Sequence, residues 1–148
     1  GAEYDKICSY IADNQLTDKV IVHGAIFGEE MDRIIEKAKV VLVPSEWYEN
    51  GAFVALQALA KGKIVVASDI AGLSEIIQDG QTGFLAEPGN SESFASAILT
   101  ALSLSDEAYK KMSQNVVAYA KNRCDAKNYI DHLVTLYKSL ISKRGQRV

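Results

Sequence analysis

The chain has 148 residues, 48% of them apolar and 24% charged, which is enough for one domain with a full core and too apolar for disorder. Its formal net charge of -3 gives no general attraction to nucleic acid, and no apolar run approaches the roughly 18 residues that a membrane span requires. Cys8 and Cys124 lie far apart without CxxC spacing, so neither a disulfide framework nor a zinc site is indicated; with no signal-like opening segment, a reducing cytoplasm fits best.

In chain order, residues 3–15 place Tyr4, Ile7, Cys8 and Ile11 at helical spacing, and the β-branched run in LTDKVIVHGAI predicts a strand ending at Gly24. GEEMDRIIEKA opens with acids and carries Met31, Ile34, Ile35 and Ala38 on one face, so a second helix precedes the strand KVVLVPS, which stops at Pro44. GAFVALQALAKG reads as a crossover helix leading to the strand KIVVASD. IAGLSEIIQDG reads as a turn and short helix closed by Gly80, and TGFLAEPG as a short strand ending at Pro88 and Gly89.

The last third is helical. Ser91 is the expected cap of SESFASAILTALSLS, the next helix starts at Ser105 or Asp106, and a final helix sets Tyr129, Leu133, Leu136, Tyr137 and Leu140 along one stripe. The basic residues Lys138, Lys143, Arg144 and Arg147 read more readily as a solvated helix end than as a binding patch. Four short strands alternating with helices predict an α/β protein with a Rossmann-like doubly wound parallel sheet and a helical C-terminal annex, 1–148 forming one domain. Gly1 in place of Met suggests a longer natural protein.

The densest chemistry lies in PSEWYENGAFVALQALA, from Pro44 to Ala60, because its helix starts at the carboxyl end of a strand, where open parallel sheets bind ligands. Backbone amides of about Gly51 to Val54 lack intrahelical acceptors and suit a phosphate, while Gly51 allows close approach; Asn50 reads equally well as a plain helix cap. Glu49 could accept from sugar hydroxyls near the helix start and Gln57 could bond hydroxyls further down. On spacing alone, a solvated loop acid and a polar position on an apolar helix are the simpler accounts.

Gly72 with Ser74 and Glu75 offers a second helix start, with a ligand site and an ordinary cap evenly matched. Trp47 and Tyr48 could stack a base or line a sugar pocket, or equally pack as a loop cover. His23, before Gly24, stands alone, so no metal is expected. There is no GxSxG, HExxH or GxxxxGKS, leaving hydrolase, metalloprotease and nucleoside-triphosphatase readings without a motif.

Taken in order, HGAIFGEEMDRIIEKAKVVLVPSEWYEN, GAFVALQALAKGKIVVASDIAGLSEIIQDG and GQTGFLAEPGN followed by SESFASAIL resemble the donor-binding, C-terminal domain of retaining GT-B glycosyltransferases of family 4, also called group 1. The resemblance runs through almost the whole chain. It implies transfer of a sugar from a nucleoside-diphosphate sugar, with retained configuration, to a carbohydrate or lipid-linked acceptor held by a domain outside this chain. The fragment alone would be inactive, without metal or cofactor, and cytoplasmic, the longer protein lying peripherally at a membrane.

By the same resemblance Glu49 contacts the transferred sugar, Asn50, Gly51, Ala52 and Phe53 meet sugar and diphosphate through their amides, and position 57 bonds the ribose. Gly24, Ser45, Gly72 and Glu75 complete the implied donor contacts. The family's second glutamate is here Gln57, which keeps hydrogen bonding but loses charge assistance, about 1 kcal/mol per bond. The arginine and lysine that neutralise the diphosphate in the family would precede this segment. Two other readings stand beside this one: a non-catalytic module of the same descent, and a flavodoxin-like binding domain, which does not predict the Glu49 loop. The last helix is expected to be partly bare and available for association.

Overall fold

The computed structural model describes residues 3–48, 52–123 and 125–145, with side chains through residue 142. The chain divides into two compact units, residues 1–34 and 35–148. The first holds α1 (Tyr4–Asp13), which buries Ile11, and the opening turns of α2 (Glu29–Lys37), where Glu29, Glu30 and Asp32 lie against the positive end of the helix dipole.

The strand expected around Val20 to Val22 is not formed; this stretch is irregular, and Val20 and Ile21 are exposed. A β-branched run becomes a strand only where a neighbour accepts and donates its backbone hydrogen bonds, and the described residues pair none with it. Among the described residues the sheet therefore has three strands where the sequence predicts four.

Those three, β1 (Val40–Val43), β2 (Ile64–Ser68) and β3 (Gly83–Ala86), are parallel in the order β1-β2-β3, with Leu42 level with Val66 and Val66 level with Phe84. The α/β reading with a parallel sheet holds. The central β2 is wholly buried, which is why IVVAS shows no polar alternation. On one face Ile64 and Val66 pack with Ala101, Phe94 and Ile98 of α5 (Ser91–Leu102). Val65 and Ala67 alternate to the other face, and α3 (Phe53–Ala60) and the single-turn α4 (Leu73–Ile76) are the helices of the parallel β1–β2 and β2–β3 connections. Gly83 is fixed by close approach: a Cβ there would overlap the Val65 carbonyl oxygen.

Ser91 is not the cap of α5. Asn90 is the last residue with extended backbone, and its Oδ1 accepts from the amides of Glu92 at 3.1 Å and Ser93 at 3.0 Å; Ser91 is already helical. Ser105 caps α6 (Asp106–Arg123), its Oγ accepting from the Ala108 amide at 3.2 Å. The helix then buries Val116 and Ala120, and the Tyr109 hydroxyl donates to the Lys39 carbonyl at 2.8 Å. α7 (Ala126–Gly145) starts at Asp125, whose Oδ1 accepts from the Asn128 amide, and carries its apolar stripe largely in the open. Among the described residues no helix is long and apolar enough to cross a membrane.

Candidate functional site at the carboxyl edge of the sheet

β1, β2 and β3 all end at one edge, so the helices that follow them all begin there. Pro44 ends β1, and Ser45, half-buried and hydrogen-bonded or otherwise engaged, leads into Glu46, Trp47 and Tyr48. Trp47 and Tyr48 are 82% and 83% exposed, so neither ring is packed as a cover. Glu49, Asn50 and Gly51 lie outside the described residues.

α3 begins at Phe53, two residues later than Gly51, and its N-cap position falls on Ala52, which has no side-chain oxygen to cap it. Among the described residues the first amide to close a helical bond is that of Leu56, donating to the Ala52 carbonyl at 3.0 Å. The amides of Phe53, Val54 and Ala55 thus have no acceptor within the helix, and they carry the positive end of its dipole. What holds this helix is burial: Ala52 is 3% exposed, and Ala55, Ala58 and Leu59 are fully covered. At the far end Lys61 Nζ reaches Glu36 Oε1 at 2.7 Å and Lys63 Nζ donates to the Glu36 carbonyl at 2.6 Å, fastening the turn into β2.

The opposite face of α3 is open. Phe53 and Gln57 are four apart and both exposed, so the amide of Gln57 stands one turn, about 6 Å, below the free helix start on the same side. A side chain that both donates and accepts is thus displaced along the helix axis from amides that have no acceptor within the helix.

The second helix start is less open to ligand. Gly72 takes φ +88 as the N-cap of α4, which has four residues, and the Ser74 hydroxyl is engaged with the Ile70 carbonyl at 3.0 Å. The Glu75 carboxylate is exposed on this helix. Gly24 belongs to the first unit, with φ +74 and open space where a Cβ would stand. Among the described residues no cluster of His, Cys, Asp or Glu could hold a metal ion.

Sequence reasoning passed over a cavity of about 390 Å³ on the α5 face, lined by Leu42, Pro44, Glu46, Asn90, Phe94 and Ile98. Its walls are mostly apolar, with Glu46 among them. The missed signal was Asn90 in PGNSES: an asparagine before a serine-rich helix start is as good a cap as the serine, and it brings α5 in beside Glu46.

The chain matches the family described as Glycosyl transferases group 1 over residues 1–123. It is 40% identical over 102 residues to the lipopolysaccharide 1,2-N-acetylglucosaminetransferase of Salmonella typhimurium, covering 68% of this chain and 26% of that protein. It is 35% identical over 98 residues to the D-inositol 3-phosphate glycosyltransferase of Paenarthrobacter aurescens, covering 66% and 24%. Among solved structures, it is similar to Anabaena HepE in complex with UDP, with a TM-score of 0.82 and 25% identity over 93% of this chain and 38% of that one. Sucrose-phosphate synthase of Thermosynechococcus elongatus gives a TM-score of 0.79 at 28% identity, over 97% and 35%. The chain thus spans between 24% and 38% of the length of these proteins. With the parallel sheet and its carboxyl-edge helix start already in place, the match over most of its length makes this chain a member of the glycosyl transferases group 1, with the α/β architecture of the GT-B superfamily.

Proposed function

We propose that the chain is the donor-binding part of a retaining, family 4 glycosyltransferase, and that α3 receives the diphosphate of a nucleoside-diphosphate sugar. The observation that carries this reading is the start of α3: three amides without a helical acceptor, at the carboxyl edge of a parallel sheet, with Gln57 on the same open face. UDP is the first nucleotide to try, because the similar Anabaena HepE has been solved with UDP and with UDP-glucose.

In this reading the hard step is departure of the diphosphate, which gains negative charge as the glycosidic carbon becomes cation-like. The amides of Ala52 to Ala55 act as fixed dipoles against that charge, at no cost of reorganisation during the reaction. Gln57 holds the ribose, Glu49 and the amides of Asn50 and Gly51 the transferred sugar, and Ser45, Gly72 and Glu75 line the rest of the donor cleft. No side chain serves as nucleophile, so the acceptor attacks from the face the diphosphate leaves. The reading needs no metal or cofactor. It assigns the carbohydrate or lipid-linked acceptor, and the cations that complement the diphosphate, to the remainder of a longer cytoplasmic protein; the chain alone would bind donor without transferring it.

Isothermal titration of the chain with UDP, GDP and ADP tests this. Heat of binding with one nucleotide, and amide shifts centred on residues 49–57, are the expected result; neither at millimolar nucleotide would sink the proposal. Gln57 favours a second reading, a non-catalytic module, since a neutral amide replaces the acid of the family. In the full-length protein, Gln57→Glu separates the two: a large rise in transfer marks a decayed site, and a fall marks glutamine as the working residue.

A further inference from the structure

We propose that, within the donor-binding reading above, Tyr119 of α6 is a positioning residue that acts through the backbone of Glu75. That reading places the exposed Glu75 carboxylate along the donor cleft. Glu75 belongs to α4, which has only four residues, and a single turn is too short to hold its own shape. Burial of Leu73 and Ile76 fixes it from below, and the Ser74 hydroxyl ties it to the Ile70 carbonyl at 3.0 Å. The Glu75 carbonyl is reached from elsewhere: the Tyr119 hydroxyl of α6 donates to it at 3.5 Å.

α6 is a firm place from which to reach. It buries Val116 and Ala120, and it packs on α3 so closely that a Cβ on Gly62 would stand 2.8 Å from Ser113 Oγ and 3.0 Å from Val117 Cγ2. Tyr119 follows Val116 by three positions, so its ring leaves α6 from nearly the same face. One helix therefore backs α3, which carries Gln57, and holds Glu75 by its own carbonyl.

The length of the bond decides what it does. Hydroxyl bonds are commonest at about 2.7–2.8 Å, and Tyr109 of the same helix meets that, donating to the Lys39 carbonyl at 2.8 Å. At 3.5 Å the Tyr119 bond is slack in the free protein and adds little to the fold. Its contribution comes when a bound donor draws Glu75 in and the bond shortens, as hydrogen bonds that serve a ligand often do on passing from the free to the bound form. The Tyr119 hydroxyl is then felt in affinity, where the Tyr109 hydroxyl is felt in stability.

Calorimetric titration of the 148-residue chain, Tyr119→Phe and Tyr109→Phe with UDP, GDP and ADP, beside chemical denaturation of all three proteins, is the test. Tyr119→Phe should weaken nucleotide binding about fivefold at an unchanged denaturation midpoint, and the nucleotide-induced shifts of the Glu75 and Ile76 amides should shrink. Tyr109→Phe should do the reverse, lowering the midpoint and leaving affinity as it was. Equal affinity in Tyr119→Phe and the parent chain overturns the inference. So does a loss of affinity that comes with a lowered midpoint or that Tyr109→Phe shares, since either marks a general loosening of α6. A parent chain that binds none of the three nucleotides removes the donor-site reading and this role with it, whereas a parent that binds and a Tyr119→Phe that binds equally well remove the role of Tyr119 alone.

Discussion

Two helices begin at the same edge of the sheet and treat their first amides in opposite ways. At α5, Asn90 takes two of them with one side-chain oxygen, the Glu87 carboxylate holds the Asn90 amide group at 2.7 Å, and the Glu87 amide donates to Ser93 Oγ at 2.9 Å. At α3 the cap residue is alanine and the first amides are left without a side-chain acceptor from it. The same backbone groups thus take a side-chain acceptor from the cap residue in one place and none from it in the other. A helix whose cap residue supplies no acceptor is anchored by something else, and for α3 that is the burial of Ala55, Ala58 and Leu59.

The comparison can be broken at its anchor. Leu59→Ala removes a fully buried side chain and should cost about 2–5 kcal/mol in chemical denaturation, taking nucleotide binding with it because the helix start loses its support. At the capped helix, Asn90→Ala should cost about 1 kcal/mol in the same measurement and leave nucleotide affinity unaltered. The sharpest test reverses the design. Ala52→Ser offers α3 the cap it lacks and should raise stability by about 0.5 kcal/mol, while weakening UDP binding roughly fivefold in titration, since a donor is withdrawn from the ligand. An Ala52→Ser protein that is more stable yet binds UDP as before would show that these amides do not serve the ligand.

Much of this was legible in the sequence, for reasons that also explain what was not. β1 and β2 declare themselves as short unbroken apolar runs and the longer helices through local periodicity, and the strand end at Pro44 before an apolar helix pointed to the candidate site. Val20 to Val22 has the same β-branched composition as β1, but strand formation depends on a distant partner, and composition carries no record of whether one is present. The choice between Asn90 and Ser91 turned on one backbone torsion pair, φ -101 and ψ 100 at Asn90, which two adjacent cap-forming residues leave undecided. The two-residue delay of α3 to Phe53 belongs to the same class of detail, and it moves the N-cap position from the expected Asn50 to Ala52.

β1 has a partner on one side only among the described residues, and its sequence Val40–Val43 has no charge or proline to guard the other side before Pro44. An unguarded apolar strand edge is a template for adding another strand, so the practical consequence is colloidal. Solubility of this chain should be limited by edge-to-edge growth, and a lysine at Leu42, already 46% exposed, is the single change most suited to keep it monomeric for the titrations above.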